Sequence, residues 1–115
     1  MKNYRITDEK LKELEPKIRE WKEMYPDRVT MIKLGEDPVD LICKVPDASL
    51  MEATFENNNL SDYKKNLQLC LDCVLYPEID TFNQIIAEKD TLPVPIARQL
   101  VQEAGTAQKV TTKKL

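Results

Sequence analysis

The run Val29-Thr30-Met31-Ile32-Lys33-Leu34, followed by Gly35-Glu36-Asp37-Pro38 and then Val39-Asp40-Leu41-Ile42-Cys43-Lys44-Val45, decides the fold class. Val39, Leu41, Cys43 and Val45 alternate with Asp40, Ile42 and Lys44. That period of two puts apolar side chains on one face of a half-buried strand. Val29 to Leu34 alternates less cleanly but reads as a second strand, and the glycine-containing loop between them reverses the chain into an antiparallel hairpin. A lone hairpin is marginal in water, so helices from the rest of the chain must cover its apolar face. An edge left uncovered is open to a second copy or to a partner.

Those helices are legible on both sides of the hairpin. Thr7 is placed to cap a helix whose first turn carries Asp8 and Glu9, both favourable near the positive end of the helix dipole. Leu11, Leu14, Ile18, Trp21 and Met24 then form one apolar stripe, interrupted by Pro16, which should kink the helix or open a new one. Tyr25-Pro26-Asp27 closes the segment as a turn. After the hairpin, Asp47 is a natural N-cap for a helix with Leu50, Met51, Thr54 and Phe55 on one face, broken by Asn57-Asn58-Asn59. Ser61 caps the next, with Tyr63, Leu67, Cys70, Leu71 and Val74 in a stripe and Pro77 as its stop. Ile79, Phe82, Ile85 and Ile86 mark a short helix. The last begins at Leu92-Pro93, turns Ile96, Ala97, Leu100, Val101 and Ala104 inward, and meets Gly105 where a left-handed C-terminal cap belongs. The expected fold is therefore α+β, mainly helical, with about five helices packed around a small antiparallel hairpin. Residues 1–105 form one domain, and 106–115 form a flexible basic tail.

Composition sets the function classes. At 115 residues with 42% apolar and 32% charged residues, the chain supports one core, burying roughly two-thirds of the unfolded surface. No apolar run approaches the ~18 residues of a membrane span. The charged start, Met1 to Arg5, does not read as a secretory signal, so a cytoplasmic location and reduced cysteines are expected. The net charge is −3, but Lys109, Lys113 and Lys114 fall in an acid-free stretch over residues 105–115. The body before them holds 14 basic against 20 acidic residues, a net −6. An acidic body is a poor polyanion binder, which argues against a nucleic-acid partner.

One motif suggests chemistry, Cys70-Leu71-Asp72-Cys73. A redox pair sits at an exposed helix N-terminus, where the dipole lowers the thiol pKa. This pair instead falls inside a helix among Leu69, Leu71, Val74 and Leu75, and reads as two small hydrophobes. The sequence has no histidine, so zinc would need Cys43 and a carboxylate beside the pair, and no Ser-His or Cys-His nucleophile can form. Asp37/Asp40 and Glu78/Asp80 are close in sequence, but in turns such pairs are usually caps or solvated charges. Two glycines cannot build a phosphate cradle. Neither catalysis, a cofactor nor a metal is expected. The residues with a candidate role in binding a protein partner are Trp21, an indole on an amphipathic helix, and Met51 and Phe55, beside an Asn-rich loop. Each has a competing reading as core.

The order of elements carries a resemblance. A charged helix ends in Trp21-Lys22-Glu23-Met24-Tyr25, a hairpin runs into Lys44-Val45-Pro46-Asp47, and a later helix carries Leu69-Cys70-Leu71-Asp72-Cys73-Val74-Leu75-Tyr76-Pro77. The close is Leu92-Pro93-Val94-Pro95-Ile96-Ala97 through Ala104-Gly105. Over residues 17–105 this resembles the small tail assembly chaperones of long-tailed bacteriophages and prophages. In those, a strand enters a Lys-Pro-Asp-like turn, here with Val45 inserted, and a Cys-x-x-Tyr-Pro segment precedes the last helices. The resemblance implies a cytoplasmic protein of the bacterial host that binds the phage tape-measure protein and tail-tube subunits, self-associates, and lacks an active site. A structural head–tail connector or tail completion protein is the alternative it leaves open.

Overall fold

The computed structural model describes residues 1–106 and 111–115. It has the order α1 (Asp8–Met24), β1 (Val29–Lys33), β2 (Asp40–Lys44), α2 (Ala48–Phe55), α3 (Asp62–Cys73), β3 (Val74–Tyr76), α4 (Ile79–Glu88) and α5 (Pro93–Thr106). The fold is α+β and mainly helical, as the periodicities imply. No helix among the described residues is long and apolar enough to cross a membrane.

The sheet is larger than the expected hairpin. β1 and β2 pair antiparallel with Ile32 opposite Leu41, Met31 opposite Ile42 and Thr30 opposite Cys43. On its other side β2 pairs antiparallel with β3, where Tyr76 lies opposite Ile42 and Val74 opposite Cys43 across a bulge. The helical stripe assigned to Val74 therefore ends one residue earlier: α3 stops at Cys73, and Val74-Leu75-Tyr76 extends into the strand before the cis Tyr76–Pro77 bond. Val74 and Tyr76, a β-branched residue and an aromatic at the end of a helical run, take the sheet edge when one is available.

Being central, β2 is buried on both faces, not half-buried. Asp40, Leu41, Ile42 and Cys43 are all buried. Ile32, Val39, Leu41 and Cys43 face a core built with Leu69, Cys70, Phe82, Ile85, Ile96 and Leu100 from α3, α4 and α5. Ile42, with Met31 and Tyr76 beside it, faces the opposite way, towards α1. There Leu11 and Ile18 line a cleft with Val29, Met31 and Ile42, and the Lys10 ammonium lies 5.7 Å from the centroid of the Tyr76 ring. The molecule is thus layered, with α1 on one face of the sheet and α3, α4 and α5 on the other.

Buried Asp40 is held by the N-terminal arm. Its Oδ1 pairs with Arg5 Nη1 at 2.8 Å and its Oδ2 accepts the Ile6 amide at 2.9 Å. The Tyr4 amide donates to the Pro38 carbonyl at 2.7 Å, and the Asp40 amide donates to the Tyr4 carbonyl at 3.3 Å. Tyr4 so forms a parallel bridge with Val39. At the far end of the strand, Arg28 donates from Nε to the Val45 carbonyl at 3.3 Å and from Nη2 to the Pro46 carbonyl at 2.6 Å.

The helix caps follow the sequence. Thr7, Asp47 and Ser61 accept from the amides of Lys10, Leu50 and Lys64. Other details depart from it. Pro16 neither ends α1 nor opens a second helix: the helix runs through it. Pro16 and Lys12 are both exposed, so the carbonyl that loses its amide partner faces water. Gly105 lies inside α5, and neither glycine has a positive φ. Among the described residues the one in the left-handed region is Asp27, at φ 57°, in the turn closed by Arg28 N–H to the Tyr25 carbonyl at 3.0 Å; aspartate tolerates that region better than most residues. Val101, expected inward, is 40% exposed. The expected flexible tail falls partly on residues 107–110, outside the described residues, while 111–115 are exposed and have no regular structure.

The Arg5–Asp40 pair gives a direct test of the arm. Arg5→Ala leaves a buried carboxylate with the Ile6 amide as its remaining donor, and should cost about 2–4 kcal/mol in a urea titration. Asp40→Asn keeps an acceptor for Ile6 and should cost less.

Candidate functional site

The three cysteines come together at the centre of the molecule. Cys43 on β2 and Cys70 and Cys73 on α3 are free and buried. The Cys70 Sγ donates to the Pro93 carbonyl at 3.4 Å. Burial pushes the Cys70 thiol up to about 12 and the Cys73 thiol up to about 11, and raises Cys43 strongly as well. The neighbouring thiols add to the rise at Cys43 and Cys70; at Cys73, Lys44 works against it. Such thiols are protonated at neutral pH and shielded from reagents, the opposite of a nucleophilic or redox cysteine. No group of three or more Cys, Asp or Glu side chains arranged to hold a metal occurs among the described residues.

The carboxylate pairs are separated by the fold. Asp40 belongs to Arg5, whereas Asp37 pairs with Lys89 Nζ at 2.7 Å at the end of α4. That hydrogen bond raises the Lys89 pKa. Beside it, the Tyr4 hydroxyl donates to Glu88 Oε1 at 2.8 Å, which raises the Tyr4 pKa. Asp37, Lys89, Tyr4 and Glu88 thus clamp the arm and the β1–β2 loop to α4. Asp37 and Asp40 are structural anchors rather than a reacting pair. Glu78 and Asp80 flank the start of α4, where Glu78 makes no side-chain capping bond.

The three candidate partner-binding residues are spread over two helices. Trp21 is half-buried on α1. Met51 is half-buried on α2, and Phe55, one turn on, is 37% exposed. The core reading of Phe55 is therefore overturned: Thr54 is the residue of α2 that goes inside. The Phe55 carbonyl accepts from Lys65 Nζ at 3.0 Å, which ties the end of α2 to α3. None of the three lines the cleft between α1 and the sheet.

That cleft is the better-formed site. Only Leu14 of the α1 stripe is buried, while Leu11 and Met24 are 36% and 60% exposed. Between α1 and the sheet lies a cleft of about 180 Å³ lined by Leu11, Ile18, Lys22, Val29, Met31 and Ile42, with Thr30 contributing. Cavities near 150 Å³ hold one aromatic ring, so this one has room for a side chain or two. On the opposite face of the same strand, a second cleft of about 350 Å³ is lined by β1 and the following loop, from Met31 to Gly35, together with Pro95 and Gln99 of α5.

The two clefts flank an unpaired sheet edge. The Arg28 carbonyl accepts from the Val45 amide at 2.6 Å, and the Leu34 amide donates to the Val39 carbonyl at 3.0 Å. Positions 28 and 34 therefore face β2, and by alternation so do Thr30 and Ile32. The N–H and C=O groups of Val29, Met31 and Lys33 point outward, with no protein partner among the described residues. The other side of β2 has no such vacancy, because β3 and Tyr4 take it. The sequence signal for this edge was the hairpin itself; which of its strands stayed open depended on β3, and β3 was hidden in a helical stripe.

Thiol labelling checks the interior reading. In native protein at neutral pH, Cys43, Cys70 and Cys73 should react with a thiol reagent at least ~100-fold more slowly than in denaturant. Rapid labelling of Cys70 or Cys73 in the native state would restore a reactive role. No family model matches the chain, nor does any curated protein or solved structure.

Proposed function

We propose that the chain is a non-catalytic protein-binding domain of the tail-assembly-chaperone kind, working in the bacterial cytoplasm and receiving an apolar segment of the tape-measure protein. The observation that carries this reading is the unfinished packing of α1. Its stripe of five apolar residues buries only Leu14, and beside it lies a side-chain-sized apolar cleft bounded by the sheet. Apolar surface held next to an open cleft gains free energy when a partner covers it, at about 25 cal/mol per Å² of apolar area removed from water. The resemblance over residues 17–105 supplies the class of partner. The acidic body suits a protein that keeps long apolar helices soluble.

Co-expression tests the reading. Produced together with the tape-measure protein of its own gene cluster, the chain should co-purify with it and keep it soluble, and purified particles should lack the chain. Leu11→Lys, at an exposed position on the rim of the cleft, should weaken the complex about 10-fold or more, equivalent to ~1.4 kcal/mol, without lowering the melting temperature. Abundant copies in mature particles would instead favour the connector or tail completion reading.

A further inference from the structure

We propose that the outer edge of β1 takes an extended segment of a partner protein, apolar at alternating positions and acidic at both ends, as an added strand of the sheet. The inference rests on the protein-binding reading and names its geometry: strand addition rather than a helix laid in a groove.

Three observations converge on this edge. First, the outward groups of Val29, Met31 and Lys33 form a ladder half with no partner among the described residues. Main-chain bonds to such an edge supply affinity, while pockets for alternate side chains supply selectivity. Second, both pockets are present. A strand lying ~4.8 Å from β1 directs successive side chains to opposite faces of the sheet. On one face they meet the cleft with Leu11 and Ile18, and on the other the cleft with Pro95 and Gln99. Third, each end of the edge presents a lysine. Lys33 closes one end; at the other, Lys22 and Val29 line the Leu11/Ile18 cleft, and Lys22 also stands beside Asp27 in an adjoining hollow. Both lysines are exposed, and neither makes an ion pair among the described residues. Val29 to Lys33 spans roughly 13 Å, so acidic residues about four to six positions apart on an extended segment would reach both.

The same lysines argue against a second copy. A two-fold pair of β1 strands is antiparallel, and in the register that pairs all three outward residues it is centred on Met31. Lys33 of each copy would then lie opposite Val29 of the other, beside Lys22, and place like charges together at both ends. Lysine on an edge strand is a common guard against self-association. Here it leaves the edge selective for a strand of opposite charge. The lysines of residues 111–115 make the chain's own tail an equally poor occupant.

The test uses the full chain and two blocked peptides with the same alternating Val/Thr centre, one flanked by two Glu at each end and the other by two Lys. The Glu-flanked peptide should bind at least tenfold tighter in fluorescence polarisation, with the advantage shrinking as salt rises. It should also slow hydrogen exchange at the amides of Val29, Met31 and Lys33 at least tenfold. The double variant Lys22→Glu/Lys33→Glu changes only exposed side chains and should reverse the preference with an unchanged melting temperature. The proposal is overturned if neither peptide slows those amides or if the double variant keeps the original preference. Slowing that grows with protein concentration in the absence of peptide would assign the edge to a second copy and overturn it too. A tape-measure complex that forms while those amides exchange freely would overturn the strand geometry but keep the binding reading.

Discussion

A central strand covered on both faces is the constraint from which most of this structure follows. β2 carries Leu41 and Cys43 into the helical core and Ile42 into the layer beneath α1. Such a strand has no wet face at its centre, so Leu41, Ile42 and Cys43 are all apolar and the polar residues Asp40 and Lys44 fall at its ends. Its one buried charge, Asp40, then needs a partner, and Arg5 and the Ile6 amide provide it. Asp40 thereby draws the N-terminal arm alongside β2, places Tyr4 against Val39, and delivers the chain into α1 over the second face of the sheet. A single buried carboxylate so couples the path of the first seven residues to the centre of the fold.

The same arrangement decides where the molecule is unfinished. β3 is only three residues long, yet it pairs that side of β2 at Ile42 and Cys43 while the arm bridges Val39. The vacancy is displaced to β1, whose outward peptide groups sit between two clefts. α1 adds to it, since one buried residue from a five-residue stripe is thin anchorage for a helix of 17 residues. The open edge and the lightly packed helix border the same cleft, so the proposed recognition surface and the least committed part of the packing coincide. The ion pair of the clamp lies at the other end of the hairpin, where Asp37 and Lys89 hold the β1–β2 loop.

The cysteines show how position overrides motif. A C-x-x-C spacing carries redox or metal chemistry only where the thiols are accessible and can ionise. In α3 the two positions lie three residues apart on a helix, facing the same interior as Leu69 and Ile96. Burial then favours the neutral thiol, and the pair packs as small side chains.

The sequence alone determined the elements whose signal is local. The capping residues Thr7, Asp47 and Ser61 mark three helix starts, because a side-chain acceptor before an amphipathic run satisfies the first free amides whatever surrounds it. The hairpin of β1 and β2 was legible from its alternation, and Phe82, Ile85, Ile96 and Leu100 from helical spacing. Tertiary structure decided what depends on neighbours distant in the chain. It turned the end of the α3 stripe into β3, because the exposed side of β2 rewards extended backbone more than another helical turn does. It buried Ile42, on the alternate face of the strand, beneath α1, fixed Asp40 as an anchor, and exposed Phe55 where the helix pattern alone put it inside. It also left β1 as the open edge, which no local period encodes: an edge is free only when nothing else in the chain arrives to pair with it.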